Sequence, residues 1–420
     1  MITRPIRLTE SSLPYLTTLI ASIVLGRFAQ YLWQYVWTDI PTILGHSPEI
    51  YIKLILTPVT AVLWLFCRRE RTRDPWLGSF FALLAATWLA FWILSAVHGD
   101  ATTFDGLLYL TIIFGLYWKT PSTTDLIAGL KVLGWLLVIV LVVTRTAEIT
   151  GLFPEIYVGK DILAFEVNHY WLPLSGTLGP EGRWPGPIGH NAMTGNVAAM
   201  LIVLGFGLRG RSRWVFAIVG ILVLLLTASR GSQMGAIAGV ALLAATTDNL
   251  VTRRVKPLLT WSGLGLLTGL AVAYTLVKNP SLTGRTTFWA RSLEVWQTSP
   301  FIGVGTSGMR ASEASIAGFN AHNLVIDALI KGGLLGGGLV AGLLLVALVL
   351  AVRTARRGSP LAVAIIGTYL VIGLTESDHG WSTTNLPWAW LILGALLASQ
   401  AKKQPPDGSI AVPAARYRTH

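Results

Sequence analysis

Apolar runs long enough to cross a hydrocarbon core recur from Leu13 to Leu397, with no long polar stretch between them that would make a separate soluble domain. One such crossing takes about 20 residues in a helix. Hydrophobic residues are 53% of the 420 and charged residues only 12%, whereas a soluble chain usually carries about a quarter charged residues, so water is not the main solvent. The chain reads as an all-α polytopic membrane protein with a single membrane domain over residues 1–420. Spans are expected near 13–37, 48–67, 76–97, 104–118, 125–147, 192–208, 214–228, 231–247, 258–276, 334–352, 361–375 and 386–400, about twelve transmembrane helices in all.

The basic start from Met1 to Ser12 carries Arg4 and Arg7, and the apolar stretch after it runs on to Trp37, longer than the core of a cleaved signal peptide. It is expected to be a retained first span. Cys67 is the single cysteine, so an internal disulfide is excluded.

A net charge of +12 raises the possibility of a nucleic-acid partner, and the placement of the charges decides against it. With the N-terminus cytoplasmic, 20 of the 32 basic residues fall on inner segments, among them Arg68, Arg69, Arg71, Arg73, Arg209, Arg211, Arg213, Arg253, Arg254, Arg353, Arg356 and Arg357. Fourteen of the 20 acidic residues fall outside. That is the positive-inside distribution, and it places both termini in the cytoplasm. Every histidine except His420 falls on the outer side, so chemistry that moves protons is expected there.

Two outer segments, about 148–190 and 278–322, are far longer than the other connections, and long loops in compact domains are usually functional or disordered. Both carry aromatics suited to the headgroup belt or to sugar stacking: Tyr157, Phe165, Tyr170, Trp171 and Trp184 in the first, Phe288, Trp289, Trp296 and Phe301 in the second. Trp289, Leu293 and Trp296 recur at i, i+4, i+7, the stripe of a helix lying on an apolar surface, with Arg285 at its first turn. A guanidinium beside a helix N-terminus suits an oxyanion; the same arginine would equally meet anionic lipid headgroups.

An amphipathic helix follows from Ala321, with His322 at its start, an Asp327/Lys331 pair at i, i+4, and Gly332/Gly336 and Gly338/Gly342 spaced for close helix contact. On its own, a lone interfacial histidine is more often a structural hydrogen-bonder than a catalytic group. Arg183 and His190 sit in a Gly/Pro-rich turn before a span, and Arg230 lies between two spans, where an arginine needs a partner or a polar cavity. Gly303-Val-Gly-Thr-Ser-Gly308 matches a dinucleotide-binding pattern but follows Pro300 in an outer loop with no βα unit before it. Glu376, Asp378 and His379 form a short acidic turn that solvation explains. Neither a nucleotide nor a metal ion is expected as a cofactor.

The series Gly284-Arg285, Trp296, Pro300, Gly303, Gly305, His322-Asn323, preceded by Ser229-Arg230-Gly231, resembles the bacterial O-antigen ligase and polymerase superfamily. The resemblance covers about residues 180–345. It implies a GT-C-like fold, with interfacial helices in two long periplasmic loops, in the bacterial inner membrane. It implies transfer of an O-antigen glycan from undecaprenyl diphosphate to a sugar hydroxyl of lipid A–core, without metal and with inversion, with membrane lipids as surroundings. His322 matches the essential histidine of such proteins. Arg285 and Arg230 match arginines near the donor diphosphate, and Arg183 is added as a third. Asn323, Trp289, Trp296 and His190 are supporting candidates.

The chemistry agrees with these residue types. A leaving diphosphate needs cationic or N–H partners, and an attacking hydroxyl needs a base that titrates near neutrality. An O-antigen polymerase of the same superfamily is the alternative. A lipid or solute transporter fits the span number but predicts inverted repeats and midplane polar groups, which the sequence does not display.

Overall fold

The computed structural model describes residues 12–32, 55–56, 58–60, 62–63, 74–100, 114–153, 184–188, 191–247, 285–311, 321, 323–355, 357, 359–375 and 386–401. The spans expected near 48–67 and 104–118 lie largely, and the one near 258–276 entirely, outside the described residues, as do most of the segment 148–190 and the two flanks of the segment 278–322.

The described residues are helical, with no strand among them. The helices are α1 (Leu13–Tyr31), α2 (Pro75–Val97), α3 (Thr123–Ile149), α4 (Asn191–Gly207), α5 (Ser212–Thr227), α6 (Arg230–Thr246), α7 (Arg285–Gln297), α8 (Gly305–Ala311), α9 (Leu324–Ala355), α10 (Pro360–Thr375) and α11 (Leu386–Ser399). Three of them, α2, α3 and α9, are long and apolar enough to cross a membrane, and α1, α4, α5, α10 and α11 contain shorter apolar helical stretches. Their outward faces carry large exposed apolar side chains, including Leu89, Ile93, Ile139, Val143, Ile218, Leu222 and Leu345. So broad an apolar exterior calls for lipid around it. The interior holds Thr87, Thr144, Asn196, Ser232 and Thr368, and Thr87 and Thr144 return their hydroxyls to the carbonyls of Leu83 and Val140 in the preceding turn.

Helix starts follow from local chemistry. Asp74 precedes Pro75 and accepts from the Trp76 amide at 2.9 Å, capping α2. Ser122 does the same for α3 by accepting from the Asp125 amide at 3.1 Å. Close packing follows from small residues. Gly205 of α4 lies against the Ala217 amide and Gly220 of α5 against the Ala198 carbonyl, so these two helices run antiparallel with backbones nearly touching. Gly332 and Gly336 face the Phe91 ring of α2, as their spacing predicts. The second pair differs: among the described residues nothing lies within 4 Å of a Cβ placed on Gly338, and Gly342 meets only Leu83 at 3.8 Å.

Hydrogen bonds and ion pairs sort the helix termini into two ends. At one, Ser12 donates from N and Oγ to Asp125 (3.0 and 2.8 Å), Arg353 and Arg357 approach Asp74 (3.9 and 3.5 Å), and Thr354 reaches the Ala398 carbonyl. At the other end, the starts of α4, α6 and α9 meet the ends of α3, α5 and α10.

Helix α9 is broken at Gly333, whose φ of 61° and ψ of −159° suit glycine alone. The loop after α7 is spliced into the break. Leu334 and Leu335 donate to the carbonyls of Pro300 and Phe301 (2.8 and 3.3 Å), and the Ile330 carbonyl accepts from Val304 (2.8 Å). Backbone groups released by the kink are thereby paired again. The break separates the amphipathic turn read from Asp327 and Lys331 from the span beginning at 334.

Candidate active site

Of the residues singled out in the sequence, Arg230, Trp289, Trp296 and Asn323 are described with their side chains, Arg230 and Asn323 at the starts of α6 and α9. Asn323 caps α9: its Oδ1 accepts from the amides of Val325 and Ile326 at 3.0 and 3.1 Å, and its Nδ2 donates to the Leu374 carbonyl at the end of α10 at 3.1 Å. One side chain thus satisfies two N-terminal donors and ties two helices together. Two residues earlier, the Ala321 carbonyl accepts from Trp289 Nε1 at 2.9 Å. His322 lies outside the described residues, but both of its neighbours are fastened, one to α7 and the other to α10.

Helix α7 begins at Arg285, whose side chain lies outside what is described. Trp289 and Trp296 are half-buried, and Ser292 between them is buried. Leu293, expected on the same stripe, is exposed instead: the helix turns its 289–292–296 face toward α9, which leaves Leu293 outward. Trp296 donates to the Pro300 carbonyl at 3.0 Å, the carbonyl that also receives Leu334. Its role is to hold the splice loop against α9.

The spaced glycines of that loop have physical causes. Gly303 (φ 71°) lies against the Ile330 carbonyl and the Gly332 amide, where any side chain would collide with backbone. At Gly305 (φ 73°) a Cβ would sit 2.7 Å from His98 Cβ. The amides of Thr306 and Ser307 at the start of α8 are held by the Asp100 carboxylate at 2.7 and 2.8 Å, so the nucleotide-like pattern has its anion already, supplied by this chain. Burial pushes the Asp100 carboxyl up, but the Ser307 hydroxyl, the two amides and the nearby His98 outweigh it and hold the group below the usual carboxylate range.

A second group of residues surrounds the junction of α5 and α6. Arg230 is the first residue of α6 and half-buried; Ala228, two residues before it, takes a left-handed conformation (φ 46°) that turns the chain sharply. Trp184 is fully buried, donating from its backbone to the Leu226 carbonyl at 3.1 Å and from Nε1 to Glu148 at 2.7 Å. Glu148, itself buried, pairs with Arg145 at 3.1 Å, and Arg145 lies 6.0 Å from the Trp184 ring centre. Arg183 and His190 lie outside the described residues, though Trp184 is anchored to the last turn of α5, just before the turn that leads into Arg230.

The last turn of α10 joins the two groups: Leu374 receives Asn323, and Ile372 packs on Gly235 of α6. Sequence reading missed Glu148, Arg145, Asn196, Ser232, His98 and Asp100. A polar Asn196 inside an otherwise apolar run was the one available signal. Among the described residues, no three His, Cys, Asp or Glu side chains gather as a metal-ligand group.

Residues 192–341 match the family model described as O-antigen ligase. Over 256 residues the chain is 28% identical to the exopolysaccharide production protein ExoQ of Rhizobium meliloti (strain 1021), a stretch that covers 52% of this chain and 58% of that protein's length. The family match opens at α4 and closes inside α9, enclosing Arg230, α7, the splice loop and Asn323.

Proposed function

From the match of residues 192–341 to the family model described as O-antigen ligase, we propose that this chain is a member of the O-antigen ligase superfamily and a glycosyltransferase that moves an O-antigen glycan from undecaprenyl diphosphate to a sugar hydroxyl of lipid A–core. The observation that carries the reading lies in the matched segment and in the end of α10 that joins its parts. An arginine at a helix start (Arg230) and the doubly fastened neighbours of His322 lie at one end of the bundle, joined by the last turn of α10.

In the proposed reaction the acceptor hydroxyl attacks the anomeric carbon as His322 takes its proton. The bond from that carbon to the diphosphate oxygen breaks, and undecaprenyl diphosphate leaves with the electron pair. Arg285, Arg230 and Arg183 meet the charge that develops on the leaving group, in a site where donors aimed at an oxyanion are worth more than in water. His322 supplies the base. Asn323 and Trp289 hold the backbone on either side of it, Trp296 holds the loop behind it, and His190 is a further supporting residue. A single displacement inverts the anomeric centre. The proposal extends to one membrane domain of about twelve spans with GT-C-like architecture in the bacterial inner membrane, both termini cytoplasmic and the site periplasmic, working without metal.

The similarity to an exopolysaccharide production protein favours a second reading: a polymerase whose acceptor is a growing glycan. One assay separates the two. Purified protein is incubated with an undecaprenyl-diphosphate glycan and lipid A–core in EDTA, beside His322→Ala. Glycan-bearing lipid A–core from the parent alone supports the ligase. Extension of the donor without transfer to lipid A–core supports the polymerase, retention of configuration refutes the single displacement, and no glycan chemistry with either acceptor returns the chain to the transporter class.

A further inference from the structure

The α5–α6 junction holds a buried polar chain that the residues assigned above leave unused. Ser229 Oγ lies 2.7 Å from Ser232 Oγ, and Ser232 Oγ lies 2.8 Å from Asn196 Oδ1 and 3.3 Å from the Ala192 carbonyl. Each hydroxyl has a single proton. Ser232 spends its own on Asn196 or Ala192, so Ser229 is the donor to Ser232. The Ser229 hydroxyl, at the N-cap position where it would normally accept from a helix amide, makes no side-chain cap.

Asn196 is only 4% exposed, and its Nδ2 has no hydrogen-bond partner among the described residues. A buried amide donor left unpaired is destabilising and rare. The contact to Ser232 places this donor at the first turn of α6, and Gly195 beside it packs so closely that a Cβ there would come within 2.7 Å of both Ser229 and Ser232. α6 is 17 residues long, so its N-terminus carries the partial positive charge of a full helix, and Arg230 is its first residue.

We infer that Asn196 is a further binding residue of the donor site: its Nδ2 donates to a diphosphate oxygen held at the start of α6 with Arg230, and the Ser229–Ser232 pair sets the orientation of its carboxamide. This rests on the reading that Arg230 meets the donor's diphosphate. An uncapped helix start, a guanidinium and an orphaned amide converge on the chemistry of a phosphate oxyanion, and a neutral donor adds hydrogen bonding without a second charge to desolvate.

The test uses the full-length protein in phosphatidylcholine nanodiscs with radiolabelled undecaprenyl diphosphate, competed by inorganic pyrophosphate or by phosphatidylglycerol. Asn196→Ala is expected to weaken undecaprenyl diphosphate about tenfold, and Asn196→Asp, which sets a carboxylate against the anion, by more. Ser232→Ala, should neither fold, removes the orientation of the amide and is expected to weaken binding severalfold. Competition by pyrophosphate assigns the site to the diphosphate of the donor; competition by phosphatidylglycerol alone reassigns it to bulk anionic lipid and overturns the inference. Equal loss of binding to undecaprenol, which lacks phosphate, shows a packing defect and overturns it too. Arg230→Ala tells the two levels apart. If it weakens the diphosphate while folded Asn196 variants bind as the parent does, the inference fails and the Arg230 reading stands; if Arg230→Ala also binds as the parent does, both fail.

Discussion

Replacing Asn323 by alanine removes three hydrogen bonds from one position: two to the amides of Val325 and Ile326 and one to the Leu374 carbonyl. Loss of an N-cap asparagine costs about 1 kcal/mol, and loss of the bond to Leu374 about another 1 kcal/mol. Since 1.4 kcal/mol is tenfold in an equilibrium, the open form of the first turn of α9 should rise about thirtyfold. Hydrogen–deuterium exchange of a peptide spanning 324–332, in nanodiscs at neutral pH, reads that population directly. Asn323→Asp keeps an acceptor for the two amides but has no donor for Leu374, so it should restore about half of the lost protection. Glycan transfer should fall further in Asn323→Ala than in Asn323→Asp, because the cap adjoins His322. Unchanged exchange in Asn323→Ala, or the same exchange in both variants, would refute the assignment of Asn323 as both cap and tie.

Three other outcomes follow from the packing. Gly333→Ala forces a side chain into a backbone conformation that only glycine adopts and into the Phe301 carbonyl, and should lower stability by at least about 2 kcal/mol in thermal unfolding of the nanodisc-embedded protein. Glu148→Leu combined with Trp184→Phe, each of which removes its side of the hydrogen bond, should show a coupling of about 1.5 to 3 kcal/mol in a double-mutant cycle, the range for a hydrogen bond to a charged group; additive effects would mean that their 2.7 Å contact carries no energy. Asp100 has its carboxyl held low, so its contribution is complete above its ordinary value of 3.8 and is lost as pH falls through the lower folded value. Melting measured from about pH 5 down to about pH 3 should therefore show an acid-labile component that Asp100→Asn abolishes.

Much of this architecture could be read from the chain alone because hydrocarbon leaves few choices. Segments such as 76–97 and 125–147 match α2 and α3 within two residues at each end, since length and apolarity decide both membership and limits. The Asp327/Lys331 pair forms at 2.8 Å with Asp327 fully buried, as helical spacing predicts. Side-chain partnerships between distant segments were beyond reach. Glu148 and Trp184 are 36 positions apart and Asp100 and Thr306 are 206 apart, and no periodicity encodes such pairs. Leu293 shows the limit of periodicity itself: its position on the stripe was right for a helix, but the choice of which flank meets α9 belongs to the partner surface.

The splice at Gly333 ends one helical path and starts another within α9, while the two parts stay packed on each other, Gly336 against the Ala328 carbonyl and Gly337 against Leu329. In an unbroken helix, inserting one residue rotates everything beyond it by about 100°, so a change near Asn323 would swing the membrane-spanning part out of its contacts with Phe91. Here the rotation stops at a joint whose hydrogen bonds are made by a different loop. A one-residue change ahead of the joint therefore need not turn the buried face of residues 334–355 out of register.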